Sequence, residues 1–235
     1  MSRTAIAILV LFLAVAFAVS PVFVPNFGGF EPDQFPVPQV DPAVQPAGYA
    51  FAIWGLIYLW LVIGMAFGAW RRRTDTGWHA MRLALIPSLA VGSIWLAVAV
   101  ASPVWAAVLI WIMLIAALVA LYQSPATDSW FAALPVGLYA GWLTAASCVS
   151  IGLLAAGYGV VDGATAALAA LLLALVIASA VQSSLRRAPS YGIGVIWALV
   201  GVVVQNAGSN VTVAALAAGG ALALLLPTFK AWRAA

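Results

Sequence analysis

Long apolar runs, separated by short polar or proline-containing breaks, make up most of the chain. A helix needs about 20 mostly apolar residues to cross a bilayer, and eight segments meet this requirement. The pattern therefore predicts an all-α fold, a polytopic membrane helical bundle of about eight transmembrane helices. The predicted spans are residues 4–24, 48–70, 80–101, 104–123, 130–157, 163–185, 190–206 and 210–229.

Two sequence features refine these boundaries. Ser102 and Pro103 separate the third run from the fourth, which predicts a helical hairpin because proline ends helices. The first run resembles a secretion signal in its charged start at Arg3 and in its small residues at 18–20. Its apolar stretch is longer than a typical signal core, and Pro21 would follow the cleavage site directly, so we expect a retained helix.

One sizeable loop, residues 25–47, joins the first two predicted spans and reads PNFGGFEPDQFPVPQVDPAVQPA. Its prolines and paired glycines forbid a regular helix. Three phenylalanines, Phe27, Phe30 and Phe35, make it too apolar for an ordinary disordered linker. We therefore expect the loop to fold back onto the bundle, either as a passive connector or as a lid over a cavity, and the sequence favours neither alternative.

Composition supports the membrane assignment. Hydrophobic residues make up 66% of the chain and charged residues only 6%, too few to cover the surface of a water-soluble domain. The net charge is +3 and the isoelectric point is about 9.4. Because the basic residues cluster at span ends, the positive charge indicates membrane orientation rather than nucleic-acid binding.

The basic residues also predict how the chain is oriented. With a cytoplasmic N-terminus and eight spans, all nine Lys and Arg fall on the cytoplasmic side, as the positive-inside rule requires. The C-terminus is then cytoplasmic as well, whereas an odd number of spans would place its basic residues outside. The acids Glu31, Asp33, Asp41 and Asp162 fall on the outer side.

Residues that carry chemistry are scarce. The single cysteine, Cys148, allows no internal disulfide, and together with the single histidine, His79, it does not make an ordinary metal site. The chain has no nucleophile motif, phosphate-binding glycine loop or close carboxylate pair, so we predict no catalytic residues and a non-enzymatic protein. No charged residue lies deep in a predicted span, which disfavours an ion-coupled transporter.

Tryptophan is unusually abundant, with eleven residues in the chain. Indole rings favour the headgroup region of a bilayer because one edge of the ring is polar. An aromatic belt at the predicted cytoplasmic interface fully explains one group of them, Trp70, Trp78, Trp130 and Trp232.

Other aromatic residues lie well inside the predicted spans. Trp54 and Tyr58 are one helical turn apart and share a face, Tyr139 and Trp142 do the same, and Trp95 lies in the middle of its span. Two interpretations stay open for them. The rings pack the core, or they line a cavity for a flat or amphipathic ligand, since buried indole and phenol groups need polar partners.

Gly137 and Gly141 form a small-xxx-small pair in the fifth predicted span. Pairs of this kind let two membrane helices approach each other closely. The motif is common, so it indicates tight helix packing in this part of the chain without specifying which helix is the partner.

Polar residues form the turn between the last two predicted spans. Short polar side chains at such positions accept hydrogen bonds from the free backbone N–H groups of helix ends. We therefore interpret this group as helix caps: Gln205, Asn206, Ser209 and Asn210.

The segment PAGYAFAIWGLIYLW, residues 46–60, opens an ordered set of four motifs. It is followed by Trp95, by ALVALYQSP at residues 117–125, and by the pair Tyr139 and Trp142. In this order and spacing, over about residues 1–157, the chain resembles the tryptophan-rich sensory protein / translocator protein family, also called the peripheral benzodiazepine receptor family. The matching positions of the first motif are Pro46, Trp54, Gly55 and Tyr58.

The resemblance implies a five-helix bundle over residues 1–157, with the outer loop 25–47, and three additional transmembrane helices in residues 158–235, as in the longer bacterial branch of the family. It also implies a place in the bacterial inner (cytoplasmic) membrane. Family members bind porphyrins, sterols and drug-like ligands in an aromatic cavity, and they often form dimers. The ligand-binding residues that the resemblance indicates are Trp54, Tyr58, Trp95, Tyr139, Trp142 and Ser150.

Several positions differ from the family pattern. Gly48 and Ala52 replace a Trp and a Pro around the start of the second span, and Gly92 replaces the Asn of the third helix. Ser150 stands where the family has an Asn in helix five, eight residues past Trp142. Much of the polar part of the family's ligand site is therefore replaced by small residues.

Together these observations predict a protein that binds an apolar or amphipathic small molecule in an aromatic intramembrane cavity, for sensing or transfer. The ligand classes considered are a tetrapyrrole, a sterol-like lipid and a carotenoid. No cofactor is expected to be required, the expected partners are membrane lipids and the hydrophobic ligand, and nucleic acid is not expected. The alternative is a structural or assembly subunit of a larger membrane complex, and a homodimer also stays open.

Overall fold

Eight α-helices follow one another in residues 1–24 and 28–234, the part of the chain that the computed structural model describes. Each is long and apolar enough to cross a membrane, which confirms the all-α, eight-span prediction. Two short 3₁₀ helices, Pro32–Gln34 and Gly48–Ala52, lie between the first two. The α-helices are α1 (Arg3–Phe23), α2 (Ile53–Arg71), α3 (Thr76–Ala101), α4 (Pro103–Tyr122), α5 (Ala133–Gly157), α6 (Gly163–Ser184), α7 (Pro189–Asn206) and α8 (Val211–Ala234).

The break between α3 and α4 is made by two residues. Ser102 has an extended backbone (φ −158°, ψ 109°), and its hydroxyl accepts a hydrogen bond from the backbone N–H of Trp105. Pro103 occupies the first position of α4, where its missing N–H has no cost. A serine cap followed directly by proline therefore turns the chain, and the predicted hairpin is confirmed.

Helix α5 lies at the centre of the bundle. It packs against α2 and α4 on one side and against α6 and α7 on the other. Helices α1 and α3 complete the first group, and α8 packs against α6 and α7. Both groups of helices thus share α5 as a wall, and the predicted division of the chain after residue 157 stays a prediction.

The small residues of α5 allow α7 to cross it closely. A Cβ atom added to Gly137 would lie 2.5 Å from the hydroxyl of Ser190, and one added to Gly141 would overlap the backbone carbonyl of Tyr191. The hydroxyls of Thr144 and Tyr191 are hydrogen-bonded across the same crossing, 3.0 Å apart. The close packing predicted from the glycine pair is therefore confirmed, with α7 as the partner.

The charged residues divide between the two ends of the bundle. Arg3 donates a hydrogen bond to the carbonyl of Thr74, which follows α2, and Arg187, just before α7, donates one to the carbonyl of Tyr122 at the end of α4. The start of α1, the end of α2, the end of α4 and the start of α7 therefore lie at one end of the bundle. The alternation of the helices brings all nine Lys and Arg to this end, the basic end. Residues 28–52, with Glu31, Asp33 and Asp41, lie at the other end, which we call the loop end.

Trp78 does not belong to an aromatic belt, and that interpretation is wrong for this residue. Its side chain is 0% exposed and packs where a side chain on Gly68 would otherwise lie. Its indole N–H donates to Asp128, which also pairs with Arg72 at 2.7 Å. The hydrogen bond from Arg72, helped by that from Trp78, holds the pKa of Asp128 below its ordinary value.

The connection between α1 and α2 folds back onto the loop end of the bundle, as expected. The amide of Gln34 donates to the carbonyls of Ala99 and Val100 at the end of α3, and the backbone N–H of Val37 donates to Gly157 at the end of α5. Residues 25–27, which include Phe27, lie outside the described residues. The rest of the loop is thus attached to the ends of two helices that it covers.

Candidate functional site

A cavity of about 460 Å³ lies among α1–α5, in the half of the bundle nearer the loop end. Small-molecule sites in proteins are clefts of roughly 300–1,000 Å³ with mostly apolar walls. The cavity falls within that range and draws its wall from five helices and from the 3₁₀ helix before α2. The lining residues are Phe17, Ala18, Pro21, Val24, Phe51, Trp54, Gly55, Tyr58, Trp95, Leu96, Ile110, Met113, Trp142 and Ala146.

Four of the six predicted ligand-binding residues meet at this wall, although they come from three separate helices. They are Trp54 and Tyr58 on α2, Trp95 on α3 and Trp142 on α5. The arrangement leaves open space between rings that a purely interlocked core would have filled. Their binding of a ligand stays a prediction.

The rings on α2 form the most ordered part of the wall. Trp54 and Tyr58 stack with their centroids 5.3 Å apart and their planes 20° apart, as expected for residues one turn apart on a helix. The edge of Trp142 meets Trp54 with centroids 6.2 Å apart at 83°. Because stacked and edge-to-face contacts are both favourable, these rings hold each other in place whether or not the cavity is filled.

Phe17 of α1 is a wall residue that the sequence analysis missed. Its ring meets the ring of Tyr58 edge-on at 4.9 Å and that of Trp54 at 5.8 Å. A Cβ atom on Gly92 would come within 2.9 Å of the Phe17 ring. The glycine at the position of the family's asparagine therefore gives Phe17 the room to reach the cavity.

Phe51 is a second aromatic residue that was missed. It lies in the 3₁₀ helix before α2 and meets Trp142 edge-on, with centroids 5.8 Å apart. One signal was available, since Phe51 precedes Trp54 by three residues and Tyr58 by seven, which places all three on one face of a continuing helix. No comparable signal in the sequence marks Phe17.

Tyr139 lies behind the wall rather than in it. Its side chain is 0% exposed, and its ring meets that of Phe17 at 5.7 Å. Ser88 donates to the carbonyl of Met113 at 2.8 Å, so the hydroxyl of Tyr139, 2.8 Å from that of Ser88, acts as the donor to it. Tyr139 thus supports the wall and links α5 to α3 and α4.

The polar groups of the wall differ in whether they already have partners. The indole N–H of Trp95 donates to the carbonyl of Ala106 at 2.9 Å, which fixes this ring between α3 and α4. The buried indole N–H of Trp142 has no hydrogen-bond partner among the described residues. A buried donor without a partner is costly, and this N–H is itself closed off from the open space.

A smaller chamber of about 60 Å³ adjoins the main cavity on the loop side and shares Phe51, Trp95 and Trp142 with it. Gln45 and Pro46 of the loop close its outer side. Ser150, the sixth predicted residue, lines this chamber rather than the main cavity, and its hydroxyl donates to the carbonyl of Ala146 at 2.9 Å. Five of the six predicted residues therefore line one or both of two adjoining chambers, and Tyr139 lies behind their wall.

The chemistry available at the site is that of an apolar container with a few polar points. The described residues that line the main cavity include no Asp, Glu, His, Lys or Arg. In residues 1–24 and 28–234, no group of three or more His, Cys, Asp and Glu is placed to hold a metal ion. The wall can surround an apolar body by dispersion and ring stacking, and can offer hydrogen bonds to a small number of its atoms.

Comparison with known protein families matches residues 3–229 to the family described as TSPO-like protein. The match extends through α6–α8 as well as the five helices that form the cavity. Comparisons with curated proteins and with solved structures return no match.

Proposed function

The chain belongs to the TSPO-like protein family, and from that premise we propose that its cavity binds an apolar or amphipathic small molecule, for sensing or transfer. It is a multi-pass membrane protein, so an apolar ligand is available to it in the surrounding lipid. The proposed ligand classes are a tetrapyrrole, a sterol-like lipid and a carotenoid.

One observation carries this proposal: an open space of about 460 Å³ walled by Trp54, Tyr58, Trp95 and Trp142. Flat aromatic walls suit a planar or polycyclic ligand, because ring faces stack on it and ring edges meet its rim. The proposed role is binding rather than catalysis, and it requires no cofactor.

The proposal is tested by titrating the detergent-solubilised protein with protoporphyrin and following the quenching of its tryptophan fluorescence. We expect saturable quenching by the wild type and an affinity about three- to tenfold weaker in Trp54→Phe and in Trp142→Phe, the range that a weakened aromatic contact supports. Trp232→Phe, whose ring is 66% exposed at the basic end, serves as the control and should bind like the wild type. Non-saturable quenching, or wild-type affinity in both cavity variants, contradicts the proposed site.

We also propose that the protein lies in the bacterial inner membrane with both termini in the cytoplasm. The collection of all nine Lys and Arg at the basic end supports this orientation through the positive-inside rule. In spheroplasts, a membrane-impermeant maleimide should label the Asp33→Cys variant directly and the Arg233→Cys variant only after lysis. The wild type is the control, because its Cys148 is 1% exposed, and the reverse labelling pattern would contradict the orientation.

A further inference from the structure

We propose that α7 holds the roof segment, defined as residues 43–50, in place over the ligand cavity, so that Trp197 and Asn206 are positioning residues of that site. The inference rests on the proposed function only for the assumption that the cavity binds a ligand. The attachment of the roof segment to α7 rests on the hydrogen bonds and packing contacts between them. Neither residue lines the main cavity, and α7 contributes no residue to its wall. An effect of Trp197 or Asn206 on binding therefore passes through the roof segment that they contact.

The first fastening point is Trp197, in the middle of α7. Its indole N–H donates to the backbone carbonyl of Ala50 at 2.8 Å. Its ring also meets the ring of Tyr49 edge-on, with centroids 5.8 Å apart. Ala50 is followed directly by Phe51, which lines both chambers, so this contact fixes the end of the roof next to the cavity wall.

The second fastening point is Asn206, at the end of α7. Its side-chain amide donates to the carbonyl of Ala43 at 2.8 Å and to that of Val202 at 2.9 Å. The residue is 1% exposed, and its amide oxygen has no partner among the described residues. Burying an unpaired amide oxygen is unfavourable, and a helix cap would accept a hydrogen bond through that oxygen. The role of Asn206 is therefore explained better by the two hydrogen bonds that its side chain donates, one of them to the roof segment, than by capping. Asn210, by contrast, does cap α8 through the backbone N–H of Val213.

Between these points the roof lies directly on the backbone of α7. The N–H of Ala47 donates to the carbonyl of Gly201 at 3.0 Å. A Cβ atom on Gly201 would come within 2.8 Å of Pro46 and 2.9 Å of Ala50. Because real Cβ atoms essentially never approach so closely, only glycine at this position allows the roof to lie so near the helix. Contacts from Trp197, Gly201 and Asn206 of α7 thus hold the eight-residue segment.

This fastening gives the helices beyond α5 a role at the ligand site. Pro46 and Gln45 of the roof close the smaller chamber, and Phe51 extends from the end of the roof into the wall. A segment held at both ends and in the middle keeps these groups in one arrangement before a ligand arrives. Preorganisation of this kind lowers the ordering cost of binding and slows release.

The test compares wild type with Trp197→Phe, Asn206→Leu and the double variant, using two independent measurements. Trp197→Phe keeps a ring against Tyr49 but removes the donor to Ala50, and Asn206→Leu keeps the side-chain size but removes the donor to Ala43. Hydrogen exchange of peptides covering residues 43–52, measured without ligand, reports the roof through the amide of Ala47. The rate of protoporphyrin release, measured by stopped flow, reports on the ligand cavity. Trp232→Phe on α8 is the control for the loss of an indole.

We expect roof amides to exchange roughly tenfold faster in the double variant, the effect of losing two ordinary hydrogen bonds that act on one segment. Exchange within α7 should stay unchanged, and protoporphyrin release should be several-fold faster. Unchanged roof exchange overturns the fastening, whatever the binding data show. Faster roof exchange with wild-type release overturns the positioning role. If the wild type does not bind protoporphyrin but roof exchange responds, the proposed ligand fails while the fastening by α7 is supported.

Discussion

Replacing Ala146 by phenylalanine is expected to weaken protoporphyrin binding roughly ten- to hundredfold while leaving the fold intact. Ala146 lies between Trp142 and Ser150 on α5 and lines both chambers. A benzyl group attached there projects into the open space instead of into packed neighbours, and it takes up volume that a ligand needs. Steric conflict of about 1–3 kcal/mol corresponds to that loss of affinity, since each 1.4 kcal/mol is about tenfold.

The same helix provides a matched control for this prediction. Ala155 lies two and a half turns further along α5 and lines an open groove with Val104 and Tyr158, outside the main cavity. Ala155→Phe makes the identical change in side chain and helix but should leave the dissociation constant unchanged. Equilibrium titration of both variants measures the effect. Equal affinities in the two would show that the ligand does not occupy the space beside Ala146.

Replacing Gly141 by alanine is expected to cause the largest loss of stability, about 3 kcal/mol. The added Cβ atom would overlap the backbone carbonyl of Tyr191, and a backbone atom in a helix cannot move aside without displacing α7. Overpacking typically costs about 1–3 kcal/mol, and more where nothing yields. In detergent, the midpoint of thermal unfolding should fall by roughly 6–12 °C for a chain of this size.

Gly219 of α8 is the control for the change from glycine to alanine. A Cβ atom there meets nothing within 4 Å, so Gly219→Ala should keep or slightly raise the unfolding temperature, as alanine favours helix by about 1 kcal/mol. Because α7 holds the roof, Gly141→Ala should also weaken protoporphyrin binding. A Gly141→Ala protein as stable as the wild type would contradict the close crossing of α5 and α7.

The spans were predictable because each depends on local information. A run of apolar residues must be a helix in lipid, where every backbone polar group needs an internal partner, and breaks such as Ser102-Pro103 carry their own signals. The aromatic pair Trp54 and Tyr58 was predictable for the same reason, since a spacing of four residues places two side chains on one helix face. Their stacking at 5.3 Å follows directly from that spacing.

Contacts between distant segments were not predictable in this way. The spacing of apolar residues in α1 does not distinguish Phe17 from its neighbours, and its place at the cavity depends on Gly92, on another helix. Trp78 has the residue type and the sequence position of a belt residue. However, Gly68 leaves space for its ring, and Asp128 accepts a hydrogen bond from its indole N–H. In both cases a glycine on another helix decides where an aromatic side chain lies.

The attachment of the roof to α7 was missed for a related reason. Asn206 was interpreted as a helix cap from its position near a turn, a role that needs only neighbouring residues. Its bond to Ala43 joins residues 163 positions apart, and a single sequence holds no record of that pairing. Gly201 lies one helical turn from Trp197, but this spacing has meaning only once the roof is known to lie there.

The crossing of α5 by α7 also bears on stoichiometry. Small-residue seams in membrane helices are a usual place for identical chains to associate, but here the seam at Gly137 and Gly141 is occupied by a helix of the same polypeptide. A second copy therefore has no access to it. A homodimer of this protein would have to be built on the lipid-facing sides of other helices.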